Sequence, residues 1–94
     1  MGFFEIAKAI EQKTLSVTDT ESKVAFFYPV QVVHIKNVGD ATAYIELDGM
    51  ASTDKYPLTP GEAVTIFVKC KEVHAICDTG YSTTLKIVGM ILEE

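Results

Sequence analysis

The stretch AVTIFVKCKEVHAICD, residues 63–78, contains two apolar-rich runs on either side of a Lys-Glu pair. If Lys71 and Glu72 form the tip of a hairpin, apolar residues and thiols face one another across the ladder: Cys70 with Val73, Val68 with Ala75, and Ile66 with Cys77. Thr65, Lys69, His74 and Asp78 then fall on the opposite face. The stretch therefore predicts an antiparallel hairpin with one face in the core, and with Phe67 and Ile76 on its outer side.

A metal or redox site is the alternative for Cys70, His74 and Cys77, which are the only cysteines of the chain and one of its two histidines. The spacing C-x₃-H-x₂-C does not match the usual zinc motifs, and His34 is a distant fourth candidate. In the hairpin register the cysteines lie ~13 Å apart, beyond the ~7 Å Cα limit for a disulfide. We therefore expect buried free thiols, no metal and no cofactor, with His74 facing solvent or an interface and Asp78 or Glu46 as its possible partner.

Outward from residues 63–78 the pattern remains that of β-structure. The segment TAYIELD (42–48) alternates, with Ala43, Ile45 and Leu47 on one side. Turn signals recur at NVGD (37–40), where Gly39 is available for positive φ, at LTPGE (58–62) and at DTGY (78–81). About six to eight short strands predict an all-β fold, an antiparallel β-sandwich or barrel of jelly-roll or immunoglobulin-like type, with residues 14–94 as one domain.

The first thirteen residues differ from the rest. Phe3, Ile6, Ala7 and Ile10 are spaced as on one face of a short amphipathic helix. Such a helix is too short to be stable alone, so residues 1–13 are expected to form an N-terminal helix or arm that docks on its own sheet or on a neighbouring subunit.

Charge and motifs exclude several functions. The 94 residues carry a net charge of −5, and all eight positive residues are lysines without clustering, so we expect no nucleic-acid binding. No run approaches the ~20 apolar residues of a membrane span, and no membrane partner is expected. DTG at 78–80 matches the catalytic triplet of aspartic proteases, which leaves a dimeric protease-like enzyme using Asp78 as an alternative. A hairpin turn is the commoner explanation of DTG.

Three stretches carry a resemblance to a known class of proteins: VVHIKNVGDATAYIELDG (32–49), YPLTPGEAVTIF (56–67) and VHAICDTGYSTTLKIVGM (73–90). Their strand and turn pattern resembles small β-rich structural proteins of tailed bacteriophages, over roughly residues 30–90. The resemblance implies a virion protein assembled in the host cytoplasm, not an enzyme, that decorates or stabilises a capsid or tail surface. Its implied partners are copies of itself and other virion proteins.

The apolar content agrees with an oligomer if it exceeds what one small sandwich can hide. A closed ring such as a trimer would cover it. Alternatively, these apolar residues fill the second face of a two-sheet core. The residues predicted for self-association or capsid contact are Phe3, Phe4, Ile6, Ile10, Phe26, Phe27, Tyr28 and Phe67. The alternative is a monomeric recognition module for carbohydrate or a receptor, with Tyr44, Glu46 and Asp48 as its aromatic and carboxylate groups.

Overall fold

A computed structural model describes residues 7–92 of the chain, with side chains from Ile10 onward. Its regular structure consists of β-strands, as the sequence predicts from residue 14 onward. The eight strands are β1 (Ala7–Val17), β2 (Ser22–Val30), β3 (Val32–Asn37), β4 (Ala43–Leu47), β5 (Tyr56–Leu58), β6 (Ala63–Ile66), β7 (Cys70–Cys77) and β8 (Thr83–Leu92). Within residues 7–92 there is no helix that is long and apolar enough to cross a membrane.

The strands form two antiparallel four-stranded sheets, ordered β1-β8-β3-β6 and β2-β7-β4-β5. We call them the first and second sheet. Every connection except β4–β5 leads from one sheet to the other. This interleaving is the eight-stranded jelly roll, a double-sheet architecture built from two Greek keys. The predicted β-sandwich is therefore confirmed, in its jelly-roll form.

The core lies between the sheets and is filled by side chains that alternate along each strand. Along β8, Leu85 and Ile87 are buried, whereas Lys86 between them is exposed. On the opposite sheet, Val73, Ala75 and the two thiols of β7 complete the layer. The predicted inward set of β4 is also confirmed, with Ala43 and Ile45 fully or nearly fully buried and Leu47 packed against the core.

The predicted hairpin over residues 63–78 is wrong. Strand β6 pairs with β3 in the first sheet, whereas β7 lies between β2 and β4 in the second sheet. Cys70 faces Val30, and Cys77 faces Ala43. Residues 67–69 cross between the sheets, and Val68 is half-exposed instead of facing Ala75. The error has a physical cause: inward positions of opposing sheets meet the same core, so alternation does not reveal which sheet a strand joins.

The turn after β3 is built around a buried side chain, Asn37. Its Nδ2 donates to the carbonyl oxygens of Ala41 (2.7 Å) and Leu58 (2.8 Å). Its Oδ1 accepts from Gly39 N–H (3.1 Å) and from the hydroxyl of Thr83 (2.7 Å). All four hydrogen-bonding positions of the amide are thus occupied, and one side chain joins β3, β5 and β8.

Gly39 is needed in this turn, but not for the positive φ that the sequence predicts. Among the glycines in residues 7–92, positive φ occurs at Gly61 (83°) and Gly80 (86°), in the turns before β6 and β8, and not at Gly39. A Cβ at Gly39 would instead lie 2.1 Å from Thr83 Oγ1 and 2.8 Å from Thr84 N. Gly39 is therefore needed for close approach of the turn to β8.

The N-terminal helix is not formed over residues 7–13, which belong to β1. Strand β1 pairs with β8 from Ala7↔Leu92 to Val17↔Thr83. The extended pairing satisfies backbone groups along a long strand, whereas a short helix would leave its ends unsatisfied. The sandwich therefore begins before residue 14, and the remainder of the predicted helix or arm, residues 1–6, lies outside the described residues.

Candidate interaction surfaces

A bulge in β2 exposes two aromatic side chains. Between Ala25↔Glu72 and Val30↔Cys70, five steps along β2 correspond to two along β7, so the ladder is interrupted over residues 26–29. Phe27 is 74% exposed and Tyr28 60%, and their rings meet edge-to-face with centroids 4.8 Å apart. We call Phe27, Tyr28 and Pro29 the aromatic bulge.

A carboxylate on β1, the edge strand of the other sheet, holds the bulge in place. Both carboxylate oxygens of Glu11 accept from the N–H of Phe27 at 2.9 Å, and Tyr28 N–H donates to one of them at 3.4 Å. Backbone donors that lost their partners in the ladder are therefore satisfied by a charged acceptor, which makes stronger hydrogen bonds than a neutral one. The two rings are presented by a fixed backbone.

An apolar groove lies on the opposite side of the sandwich, where the edge strands β5 and β6 leave the two sheets open. It encloses about 450 Å³. Its apolar lining residues are Ile45, Leu47, Tyr56, Val64, Ile66 and Val68. The remaining lining residue is Glu46, whose carboxylate pairs with Lys55 at 3.3 Å. We call the six apolar residues the β5–β6 groove. Phe67, 78% exposed, lies between two of its lining residues in the chain.

The predicted contact residues divide into three groups. Phe27, Tyr28 and Phe67 are exposed, and Ile10 is 56% exposed on β1, where it pairs with Met90. Phe26 is a correction: it is 2% exposed and packs in the core against Gly89, so it cannot form a surface contact. Phe26 continues the inward alternation of Val24, and the bulge disturbs the pattern from Tyr28, which is exposed where alternation would place it inward. The remaining three, Phe3, Phe4 and Ile6, lie outside the described residues.

Other components of these surfaces were not predicted from the sequence. Tyr56 and Val68 belong to the groove only because β5 and β6 are edge strands of different sheets, which requires the topology. Glu11 had no signal beyond an ordinary charged residue in an amphipathic segment. The carboxylates around His74 were missed in the same way.

His74 lies on the outer face of the second sheet but is only 6% exposed, which corrects the expected solvent-facing position. Its Nδ1 contacts Glu21 Oε2, and its Nε2 lies 2.8 Å from Glu72 Oε1. Glu21 also accepts from Ala51 N–H at 3.2 Å. The partners are therefore Glu21 and Glu72, not Asp78 or Glu46. We call the three side chains the histidine clasp.

The clasp favours the charged imidazolium. Burial opposes protonation, but hydrogen bonds to Glu72 and Glu21 outweigh it and raise the pKa of His74 above 6.5. Burial likewise opposes ionisation of Glu21, yet the bond from His74 lowers its pKa below 4.5. The bond from His74 also lowers the pKa of Glu72. With both ring nitrogens donating, the carboxylates lie on different sides of the ring and do not converge on one ion.

We predict that His74→Gln flattens the pH dependence of stability. A raised histidine pKa stabilises the fold below pH 6.5, and this stabilisation is lost as pH rises through the higher pKa of the folded state. The lowered carboxylate values stabilise it above pH 4.5, and this is lost as pH falls through their folded-state values. The clasp therefore stabilises the wild-type fold most between pH 4.5 and pH 6.5. Urea unfolding as a function of pH measures it.

His34→Gln is the matched control, since His34 Nδ1 bonds only the exposed Thr65 hydroxyl at 2.8 Å. It should leave the pH profile unchanged. If the stability of wild type and of His74→Gln depended on pH in the same way, both between pH 4.5 and pH 6.5 and above pH 6.5, the clasp would be contradicted.

The two cysteines are free and buried, as predicted. Burial, assisted by the charge of Asp48, raises the pKa of the Cys70 thiol to about 11, and burial raises that of Cys77. The thiolate is the reactive and metal-binding form, so both groups are held in the unreactive state. Among residues 7–92, no three His, Cys, Asp or Glu side chains are arranged to hold a metal ion.

Asp78 lies in the exposed turn between β7 and β8. Its carbonyl accepts from Tyr81 N–H at 3.0 Å, and its Oδ2 accepts from the Tyr44 hydroxyl at 3.2 Å. Asp19 Oδ2 accepts from Gly80 N–H at 2.8 Å. The DTG triplet thus closes a turn, but this turn connects the two sheets and is not the tip of a hairpin.

Comparisons with known proteins give the fold and no family. No protein-family model matches the chain, and no curated protein matches it. A cupin superfamily protein from Desulfitobacterium hafniense superposes with a TM-score of 0.57 at 13% identity, over 94% of this chain and 76% of that one. An HTH_3 family transcriptional regulator from Vibrio cholerae gives 0.53 at 16% identity, over 85% of this chain and 42% of the regulator.

A protein from Photorhabdus luminescens is similar to the same degree, with a TM-score of 0.51 at 14% identity over 94% of this chain and 68% of that one. At such identities the likeness concerns the fold alone. Jelly rolls include viral capsid domains, lectins and cupins, a range that contains both enzymes and proteins without catalytic activity. The chain has a cupin-like jelly-roll β-sandwich.

Proposed function

We propose that this protein is a non-enzymatic structural component of a tailed-phage virion, assembled as a homo-oligomer that decorates or stabilises a capsid or tail surface. The observation that carries the proposal is the pair of exposed apolar surfaces, the aromatic bulge and the β5–β6 groove. The bulge lies outside the core cluster, whereas the groove opens beside it, since Ile45 of the groove belongs to the core and Leu47 and Val64 pack against it. Contiguous exposed apolar surface on a small domain marks an interaction site.

Four further features support this function. The jelly roll is an architecture that viral capsid domains use, and the sequence resembles small phage structural proteins over roughly residues 30–90. The net charge of −5 keeps unassembled subunits apart and soluble. Phe27, Phe67 and Tyr56 are each more than half exposed in the isolated chain, so their side chains are available for contacts between subunits.

Particles produced with and without the gene for this chain test the setting. We expect mass spectrometry of purified particles to find many copies of the chain, and negative-stain images to lose surface density when the gene is deleted. Homogeneous particles that lack the chain altogether would contradict a virion role.

A second candidate function, a monomeric recognition module, rests on a different surface. At the end of the sandwich near the β3–β4 turn, a cleft of about 380 Å³ is lined by hydroxyl side chains and one carboxylate: Ser16, Thr18, Ser82, Thr83, Thr84 and Asp40. Hydroxyl and carboxylate groups of this kind suit a carbohydrate, and lectins also use the jelly roll. Binding of the monomeric chain to a glycan array, abolished by Asp40→Ala, would favour this candidate.

A further inference from the structure

We propose that the aromatic bulge of one copy docks into the β5–β6 groove of the next copy. This inference deepens the proposed function and rests on it, because it names the contact by which the subunits assemble. The aromatic bulge is the knob and the β5–β6 groove is the socket of a single repeated interface.

The position of the two surfaces points to a head-to-tail contact. Strands β1 and β2 are the edges of the two sheets on one side of the sandwich, and β5 and β6 are the edges on the other. The bulge therefore lies opposite the groove. Since one copy cannot exchange both contacts with a single partner, the contact is heterologous, and it produces a ring of three or more copies if the rotation closes.

The groove fits aromatic rings in size and chemistry. Its volume of about 450 Å³ falls within the ~300–1,000 Å³ typical of pockets for small organic molecules. Side chains of Val64, Ile66 and Val68 line it, and Tyr56 supplies an aromatic ring. Aromatic pairs gain energy from edge-to-face contact in addition to buried area. Docking Phe27 and Tyr28 covers the apolar surface of both subunits at once.

The knob is also held in shape before it docks. Glu11 fixes the backbone of Phe27 and Tyr28, and the edge-to-face contact between the rings restrains their rotamers. Association therefore orders few groups, which reduces its entropic cost. Aromatic side chains fixed in this way are the residue types that dominate binding energy at protein interfaces.

Complementation between two variants tests the contact. Phe27→Asp removes the knob, and Val68→Asp places a charge in the groove; both positions are exposed, at 74% and 42%, so the fold should persist, as circular dichroism and thermal unfolding would verify. Each variant alone should weaken self-association by about tenfold or more. An equimolar mixture should form a heterodimer, because the first variant keeps its groove and the second its knob.

Matched controls use equally exposed apolar residues outside both surfaces. Met50→Asp, at 73% exposure, corresponds to Phe27→Asp, and Val38→Asp, at 47%, corresponds to Val68→Asp. Both controls should keep the wild-type mass in light scattering. A shift of the amide resonances of groove residues in labelled Phe27→Asp, on addition of unlabelled Val68→Asp, should report the docking directly.

The outcomes separate this contact from others and from the proposed function. Wild-type mass retained by Phe27→Asp, or a mixture that stays monomeric, would overturn the knob-and-groove contact. Loss of association on deletion of residues 1–6, with both surfaces intact, would name the N-terminal segment as the occupant of the groove instead. Either result leaves the virion role standing if particles contain the chain. If the two variants complement each other but no particles contain the chain, the contact between copies stands and the virion role is refuted.

Discussion

Asn37→Asp lowers the free energy of unfolding by about 3–5 kcal/mol at neutral pH, a large share of the stability of a small domain. The replaced amide donates to the carbonyls of Ala41 and Leu58 and is fully buried. A carboxylate of the same shape would face two carbonyl oxygens without a donor. Chemical denaturation of the variant and wild type measures the difference.

The destabilisation should shrink in acid, because a protonated carboxyl regains one O–H donor. Asp40→Asn is the control: it exchanges the same two functional groups in the same turn, but at an exposed position, and it should change stability by no more than about 0.5 kcal/mol. If Asn37→Asp behaves like this control, the amide does not hold β3, β5 and β8 together.

Phe26→Ala costs about 3–5 kcal/mol, because it removes a buried aromatic ring and leaves a cavity between the sheets. The ring packs against the backbone of Gly89, where an added Cβ would lie 2.6 Å from Phe26 Cε1. Gly89→Ala alone should therefore cost about 1–3 kcal/mol through overpacking. Equilibrium unfolding in urea gives both values.

The two positions should couple strongly in a double-mutant cycle. In the Phe26→Ala background, Gly89→Ala should cost almost nothing, because the space that the methyl group needs is empty. If Phe26→Ala does not fold, Phe26→Leu replaces it in the double-mutant cycle. Additive effects of the two substitutions would mean that the ring does not occupy the space above Gly89.

Much of the fold could be predicted from the sequence because alternation specifies which residues face a core. The inward positions of β4 followed from this pattern alone, whereas the burial of Cys70 and Cys77 was predicted through a hairpin register that is itself wrong. Pairing did not follow. Six of the seven connections cross between sheets, and a strand that crosses to the opposite sheet presents the same alternation as one that turns back.

The candidate surfaces could be predicted only in part. Phe27, Tyr28 and Phe67 were identified as exposed aromatics, whereas Phe26 was misplaced because the prediction treated consecutive aromatics alike, although the alternation of β2 turns Phe26 inward. The groove combines residues from the consecutive strands β4, β5 and β6, which belong to two different sheets. The clasp joins Glu21 to His74 across 53 residues. Contacts of this kind depend on the sheet topology, which local patterns do not encode.

Association of the chain with itself is the claim on which the proposed function depends, and light scattering after size exclusion tests it most directly. The full chain, measured from micromolar to millimolar concentrations, should elute with the mass of three or more copies of the 10.3 kDa subunit. The mass of a single chain over the whole concentration range would contradict the account.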